Sequence, residues 1–470
     1  MRASLVVAAM ISGGCATSPD KARKQAGTLA AERIGHRVAW DQGTQADARV
    51  ETRVRELLAR ELTPDAAVEI ALVRNPTLLG DLEDLGIAQA DLVQAGLIDN
   101  LHIGGGPRFP LTGGGVGYEF DAAINFIQAF LIPLRKKAAR AHLREATLRI
   151  AHSVVALDVE VRRAVYDAIA AERLLELHRG AAELSEAAAE LARRQAQTGV
   201  AGTMNELERS ELEAAEADAR VAYQQSHVDV IEAREHLVQL LGLIGKDTQF
   251  RLPKTLPKLP AREPELDELE RIAVRQRFDL QAERAELDAL AGAVKIARRV
   301  PFVDVSVGVI GEGDPGDVAT LGPFFELSIP IFDWGQAEIA RAEAALRQVE
   351  RRLRGRAVVV RSDVRISRAR MVTERRLAEY ERDKVVPMRV SMVALGQERY
   401  DAMLFGVYEL IELKIRELEA RAELVEHLRE YFHARAELEL AIGGRLESSI
   451  ARFQKNPTKP VATKTSQRKE

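Results

Sequence analysis

The scarcest reactive group in the chain is a thiol, and there is one of it, Cys15. A single cysteine closes no disulfide within the chain and builds no thiolate cluster around a metal. The 9 histidines are scattered, and His427 and His433 are not spaced i, i+4, the step that puts two imidazoles on one helical face for zinc. Gly104-Gly105-Gly106 and Gly113-Gly114-Gly115 lack the Gly-Lys-Ser/Thr ending of a phosphate-binding loop. With 71 Asp and Glu residues along the chain, no carboxylate pair stands out as a general acid and base. These residues predict no catalytic site, no cofactor and no bound metal, and therefore a protein that is not an enzyme.

The elements carrying them are unusual in length. Composition is 5% aromatic and 29% charged, which suits long exposed or coiled helices, and 67 basic against 71 acidic residues leave a net charge of −4. No single-sign field marks a nucleic-acid binder. At the start, Met1-Arg2 is basic, Ala3 to Ile11 is an apolar run too short to span a bilayer, and Ser12-Gly13-Gly14 are small. This is the pattern of a secretory signal. Cys15 directly after those small residues resembles the lipobox of bacterial lipoproteins, which implies acylation of its thiol, although Ser12 stands where such sequences usually carry leucine. No other stretch approaches the roughly 20 apolar residues of a spanning helix. Any membrane span must then be β.

The chain repeats itself with a period near 200 residues. Leu62 to Ala71, leading to Asn75-Pro76-Thr77-Leu78, corresponds to Leu266 to Ala273, leading to Arg277-Phe278-Asp279-Leu280. A helix ending near Gly96 runs into a strand from Leu101 to Gly106, as one ending near Arg299 runs into Phe302 to Ile310. Phe130-Leu131-Ile132-Pro133 precedes one long helix, and Leu327-Ser328-Ile329-Pro330 precedes the other. Leu237 to Gly242 closes the first half much as Leu438 to Gly443 closes the second. The expected plan is a first repeat over 62–247, a proline-rich linker over 248–264, a second repeat over 265–446 and a disordered tail over 447–470.

Within each half the spacing predicts a hairpin. From Gly117 to Leu131, Tyr118, Phe120, Ala122, Ile124 and Phe126 alternate with Glu119, Asp121, Ala123 and Asn125. Val303, Val305, Val307 and Val309 alternate likewise in the second half, as do Phe325, Leu327 and Ile329. Such alternation also suits a soluble sheet packed on helices with Phe and Val inward; the secretory signal and the repeat favour lipid. Four strands cannot close a barrel, since about eight are needed, and open edges cannot face lipid. Three copies supply twelve.

Arg135 to about Thr198 is predicted as one helix of roughly 95 Å, with Val154, Leu157, Val161, Val165 and Ala168 forming a narrow apolar stripe. Gly335 to about Tyr400 repeats the design with a kink at Pro387. The helices about Pro64 to Gly96 and Glu265 to Arg299 precede the strands, and Thr203 to Leu241 and Gly406 to Ile442 return, Thr203 acting as a cap with Glu206.

The doubled plan, Asn75-Pro76, the helix ending Ala90-Asp91-Leu92-Val93-Gln94-Ala95-Gly96-Leu97, and Ile329-Pro330-Ile331-Phe332-Asp333-Trp334-Gly335 before a long helix resemble the TolC family of outer-membrane efflux proteins over about residues 62 to 446. In the first half Leu134-Arg135-Lys136-Lys137 departs from the Phe-Asp-Trp-Gly pattern. The resemblance implies a mainly α protein with a membrane β portion: a homotrimer with a twelve-stranded β-barrel in the outer membrane, continued by a twelve-helix coiled-coil α-barrel. Residues 1–15 would be the signal peptide with lipidated Cys15, and 16–61 a periplasmic segment. Its implied role is the passive channel of a tripartite efflux or export system, with a periplasmic adaptor, an inner-membrane pump and outer-membrane lipid as partners. A secreted coiled-coil structural or adaptor lipoprotein is the alternative; it would show no duplication of this kind or no alternating strands.

Under the resemblance the helix-to-helix turns are the periplasmic tips. Thr198, Gly199, Val200 and Gly202 in one, and Leu404, Phe405 and Gly406 in the other, would meet the adaptor. The glycines are expected to supply positive φ, and Val200, Leu404 and Phe405 to be exposed apolar groups. Threefold symmetry would turn Glu398 and Asp401 into carboxylate rings near the constriction, the device that sets cation preference in pores.

Overall fold

The structure, a computed structural model, describes residues 18–36, 40, 44–109, 115–125, 127–197, 205–263, 268–299, 305–314, 318–327 and 331–455. Cys15, Thr198, Gly199, Val200, Gly202 and Thr203 lie outside them. In chain order the elements begin with α1 (Asp20–Ile34), α2 (Thr44–Leu58), α3 (Pro64–Arg74), α4 (Pro76–Asp81) and α5 (Glu83–Gln94). The hairpin β1 (His102–Arg108) and β2 (Gly117–Asn125) leads into α6 (Ile127–Gln197) and α7 (Glu206–Leu241). Then α8 (Leu269–Gln276) and α9 (Phe278–Arg299) lead into β3 (Val305–Gly313) and β4 (Thr320–Leu327). The chain continues through α10 (Gln336–Tyr380), a π-helical turn over Glu381–Val385, α11 (Val386–Asp401), α12 (Val407–Ile442) and α13 (Leu446–Lys455).

Several boundaries differ from expectation for identifiable reasons. The helix expected from Pro64 to Gly96 is broken at Asn75, whose ψ of 117° is the extended conformation that a following proline imposes. Asn75 then serves both sides of the break: its Nδ2 donates to the Leu240 carbonyl at 2.8 Å and its Oδ1 accepts from the Leu78 amide at 2.8 Å. The second strand ends at Asn125 rather than Leu131, because α6 starts at Ile127 and holds Pro133 inside it. Asn205, not Thr203, caps α7, in a reciprocal box with Glu208. Residues 447–455, expected in the disordered tail, belong to α13, where Leu446 and Ser449 are fully buried and Gln276 donates to the Ser449 carbonyl. At Pro387 the ladder shifts register instead of breaking: the Val386 amide reaches the Glu381 carbonyl five residues back.

The chain forms two compact units, one of Met1–Ala26, Gly80–Ala151 and Phe278–Val358, the other of Gly27–Leu79, His152–Arg277 and Val359–Glu470. The first holds a single antiparallel sheet in the order β1-β2-β3-β4. Beside it the helices lie in the order α5-α6-α9-α10. A side chain at Gly96, just past α5, would meet Lys136 of α6; α6 and α9 share a cavity; and Arg298 and Glu283 of α9 pair with Glu343 and Arg356 of α10.

The second unit is a layer of long helices. Arg193 of α6 pairs with Glu216 of α7 at 2.8 Å, and α6 meets α12 through His433–Asp167 at 2.9 Å and through the Tyr166 and Phe432 rings, 4.8 Å apart. His427 of α12 in turn meets Glu374 of α10 at 2.9 Å, and Gly396 of α11 admits Leu413 of α12. The order α7-α6-α12-α10/α11 follows. Val154, Leu157, Val161, Val165 and Ala168 are all buried along α6, as their spacing predicted. Each large apolar side chain so covered contributes about 1.5–3 kcal/mol.

Candidate functional site

Cross-strand partners share a face, so the register sorts the sheet completely. Ile103 opposes Ala122, Ile124 opposes Val307, Phe325 opposes Val307, and Leu327 opposes Val305. With Tyr118, Phe120, Val309 and Leu321 they make one face wholly apolar, and it is uncovered: Ile103 is 76% exposed and Phe325 78%. Among the described residues the outer edges of β1 and β4 carry no further strand. A bare apolar face between two bare edges is an unfinished surface.

The opposite face carries His102, Arg108, Glu119, Asp121, Asn125, Ser306, Glu312, Thr320 and Glu326, with Ala123, Ile310 and Phe324 as its apolar members. Glu119 stands directly across from Glu312, a repulsive pairing that Arg108 offsets. Its guanidinium lies 3.8 Å from Glu119, 3.4 Å from Glu312 and 3.7 Å from Asp314. One cation thus serves three carboxylates.

In the second unit, the edge helices carry matching unfinished surfaces. Leu207, Ala214, Val221 and Val228 recur at seven-residue steps on α7 and are exposed, as are Val359, Ile366, Thr373 and Tyr380 on α10. A seven-residue apolar repeat is the seam of a coiled coil. Neither stripe has a partner helix among the described residues.

The α11–α12 turn departs from expectation in its backbone. Gly406 has φ −81° and serves as the N-cap position of α12, while Met403 takes the left-handed conformation with φ 58°. Met403 is 92% exposed and Leu404 is also exposed, but Phe405 is half-buried against Gly396. Glu398 and Asp401 are both exposed, and Gln397 donates to Asp401 at 2.8 Å. Composition gave no hint of Met403, since glycine rather than methionine is the usual occupant of positive φ.

A charge cluster joins five segments of the second unit. Asp65, in the first turn of α3, accepts from His36, from Arg162 of α6 at 2.5 Å and from Arg445 at 3.0 Å. The bond from His36, reinforced by the two guanidinium groups, holds the Asp65 carboxyl far below its ordinary range. Burial pushes Asp158, beside Arg162, upward, and pushes Glu439 of α12 up to about 7. A cavity of about 170 Å³ opens onto this cluster, lined by Arg162, Tyr166, Arg435, Glu439 and Arg445.

In structure the chain matches the CmeC outer membrane channel of Campylobacter jejuni, at 13% identity over 91% of this chain and 94% of that one, with a TM-score of 0.68. A membrane protein from Pseudomonas aeruginosa matches at 18% identity, over 88% and 95%, with a TM-score of 0.65. The chain has the fold of TolC-type outer-membrane channels. The open state of the MtrE outer membrane channel of Neisseria gonorrhoeae shares this TolC-type fold at 17% identity, over 82% of this chain and 89% of that one, with a TM-score of 0.63. No protein-family profile and no characterised sequence matches the chain. Within the described TolC-type helices none is long and apolar enough to cross a membrane.

Proposed function

We propose that this chain is one protomer of a passive export duct in the bacterial outer membrane. Three copies close their sheets into a twelve-stranded barrel, and three layers of four helices continue it as a twelve-helix tunnel through the periplasm. One observation carries the reading: the four-stranded sheet presents an uncovered apolar face between two unpaired edges. Lipid covers such a face, and neighbouring strands satisfy such edges. The two edges differ, β1 against β4 and α7 against α10, so association is head-to-tail and closes as a ring. The polar face, with Arg108 and its carboxylates, then lines the wet interior.

The halves 62–247 and 265–446, joined by 248–264, act as tandem copies that give the ring its even strand count. In support, Gly242 ends α7 at φ 61° against the Arg74 backbone, and Gly443 ends α12 at φ 84° against that of Arg277. Acylated Cys15 anchors the N-terminal segment. The two turns, with Thr198, Gly199, Val200 and Gly202 in one and Leu404, Phe405 and Gly406 in the other, meet a periplasmic adaptor that recruits an inner-membrane pump. Exposed Leu404 and Met403 support this for the second turn. Glu398 and Asp401 form the acidic rings of the aperture, and the duct performs no covalent chemistry.

Cell fractionation and planar-bilayer recording test the reading. The full chain is expected in the outer membrane, and Asp401→Ala is expected to alter opening and cation preference. Unchanged conductance in that variant removes Asp401 from the aperture, and a detergent-free periplasmic monomer overturns the duct.

A further inference from the structure

The duct leaves one feature of the first unit unused, the basic opening of α6 where Leu134-Arg135-Lys136-Lys137 stands in place of Phe332-Asp333-Trp334-Gly335. Lys137, Arg140 and Arg144 of α6 and Lys295 of α9 line a cavity of about 460 Å³ whose acidic member is Asp288. All four cations are exposed, and none forms an ion pair with a described residue. Elsewhere in this unit Arg23 pairs with Glu83, Arg149 with Glu145, Arg298 with Glu343 and Arg356 with Glu283, whereas the four groove cations share one cavity with a single carboxylate. A groove with this excess of unneutralised positive charge fits an anion.

Position narrows the anion. Phe130, Lys137 and Arg144 lie one heptad apart on one line of α6, and Phe130 is exposed at the strand end of that line. Phe130 precedes Lys137 by about 10 Å of helix, and helical side chains lean toward the N-terminus, here toward the strands. Beyond β4, Phe332 is 90% exposed and Trp334 is exposed. Aromatic residues at the ends of spanning strands mark the membrane–water boundary, and long cationic side chains just outside it reach back to that boundary. The order α5-α6-α9-α10 also places the α6–α9 groove in the middle of a protomer, so closing a ring through the edges leaves it open.

We propose that this groove seats the phosphate-bearing headgroup of an anionic phospholipid from the periplasmic leaflet, held by Lys137, Arg140, Arg144 and Lys295. The inference rests on the duct reading, because the strands must span the membrane for the groove to meet that leaflet. Three lipids per trimer would then fix the depth of the barrel in the bilayer.

Full-length protein in non-ionic detergent, titrated with fluorescent phosphatidylglycerol and with phosphatidylcholine of the same chains, tests the site. Phosphatidylglycerol is expected to bind at least about tenfold more tightly at ~0.1 M salt, with the gap narrowing at ~0.5 M. The combined Lys137→Gln, Arg140→Gln, Arg144→Gln and Lys295→Gln variant is expected to lose the preference while remaining a heat-sensitive trimer. Should that variant fail to assemble, Lys137→Gln and Arg140→Gln singly are each expected to weaken phosphatidylglycerol about fivefold. Equal binding of both lipids, or a preference that survives the substitutions, overturns the site. Displacement of the lipid by glycerol 3-phosphate at the lipid's own concentration overturns it too, in favour of a soluble anion. A chain that stays soluble and monomeric without detergent refutes the duct itself, whatever it binds.

Discussion

The ring of Phe120 on β2 lies across Gly311 on β3, so close that a β-carbon at Gly311 would fall 2.2 Å from it. Tyr118 covers Gly313 in the same way, at 2.4 Å. An aromatic lying over a cross-strand glycine fills the space the missing side chain leaves and pins the register. Because β2 and β3 come from opposite halves of the chain, these pairs join the two hairpins. Gly311→Val is therefore expected to cost about 1–3 kcal/mol through overpacking. The melting temperature of the detergent-solubilised protein measures it, and Phe120→Ala in the same chain is expected to recover part of the loss. Equal melting of Gly311→Val and the parent would remove the pair from the account.

The exposed stripe of α7 makes a separate prediction. Val221 and Val228 are surface residues within one protomer, so Val221→Asp with Val228→Asp should change protomer folding by no more than about 0.5 kcal/mol per site. Assembly should nevertheless fail, leaving folded single chains by light scattering in detergent. Intact trimers in that variant would mean that α7 does not form the seam.

Arg108 offers a test of which face is wet. Replacing it with glutamine leaves Glu119, Glu312 and Asp314 without their cation. If the polar face lines the pore, cation-over-anion permeability should rise by roughly twofold or more. Reversal potentials across a salt gradient report it. A shift toward anions would place Arg108 elsewhere.

Glu439 sets a pH dependence. Burial raises its carboxyl from an ordinary 4.5 to about 7, so the folded chain holds this proton more tightly than the unfolded one. Its contribution to stability is full below pH 4.5 and is lost as pH rises through 7. Asp158 shifts in the same direction, whereas the depressed Asp65 acts only below 3.8, outside this window. Melting temperature should thus fall by a few degrees between pH 5 and pH 7.5, and Glu439→Gln should flatten the slope without abolishing it. A slope identical to that of the parent chain would exclude Glu439.

Much of the architecture was legible in local pattern. The alternation through Tyr118, Phe120, Ala122 and Ile124 located β2, and the three- and four-residue steps from Val154 to Ala168 located the buried line of α6. Pro387 announced a disturbance, though its form as a π-helical turn depends on which carbonyl the next amides can reach. What escaped was set by long-range contact. Phe120 over Gly311 needs the register of strands nearly two hundred residues apart, and Arg108 becomes the centre of a charge cluster only once β1, β2 and β3 lie side by side. Asn75 lies within what reads as a single helix from Pro64 to Gly96, and its service to both sides of the break depends on its bonds to Leu240 and Leu78. Met403 escaped because its backbone is held by the turn, against its own preference.

The mass of the particle extracted from the outer membrane tests the central claim most directly. Native mass spectrometry of the detergent-solubilised full chain should show three copies, collapsing to one on boiling. A single copy that is stable in detergent-free buffer, or a ring of another number, would contradict a twelve-stranded barrel closed by three four-stranded sheets.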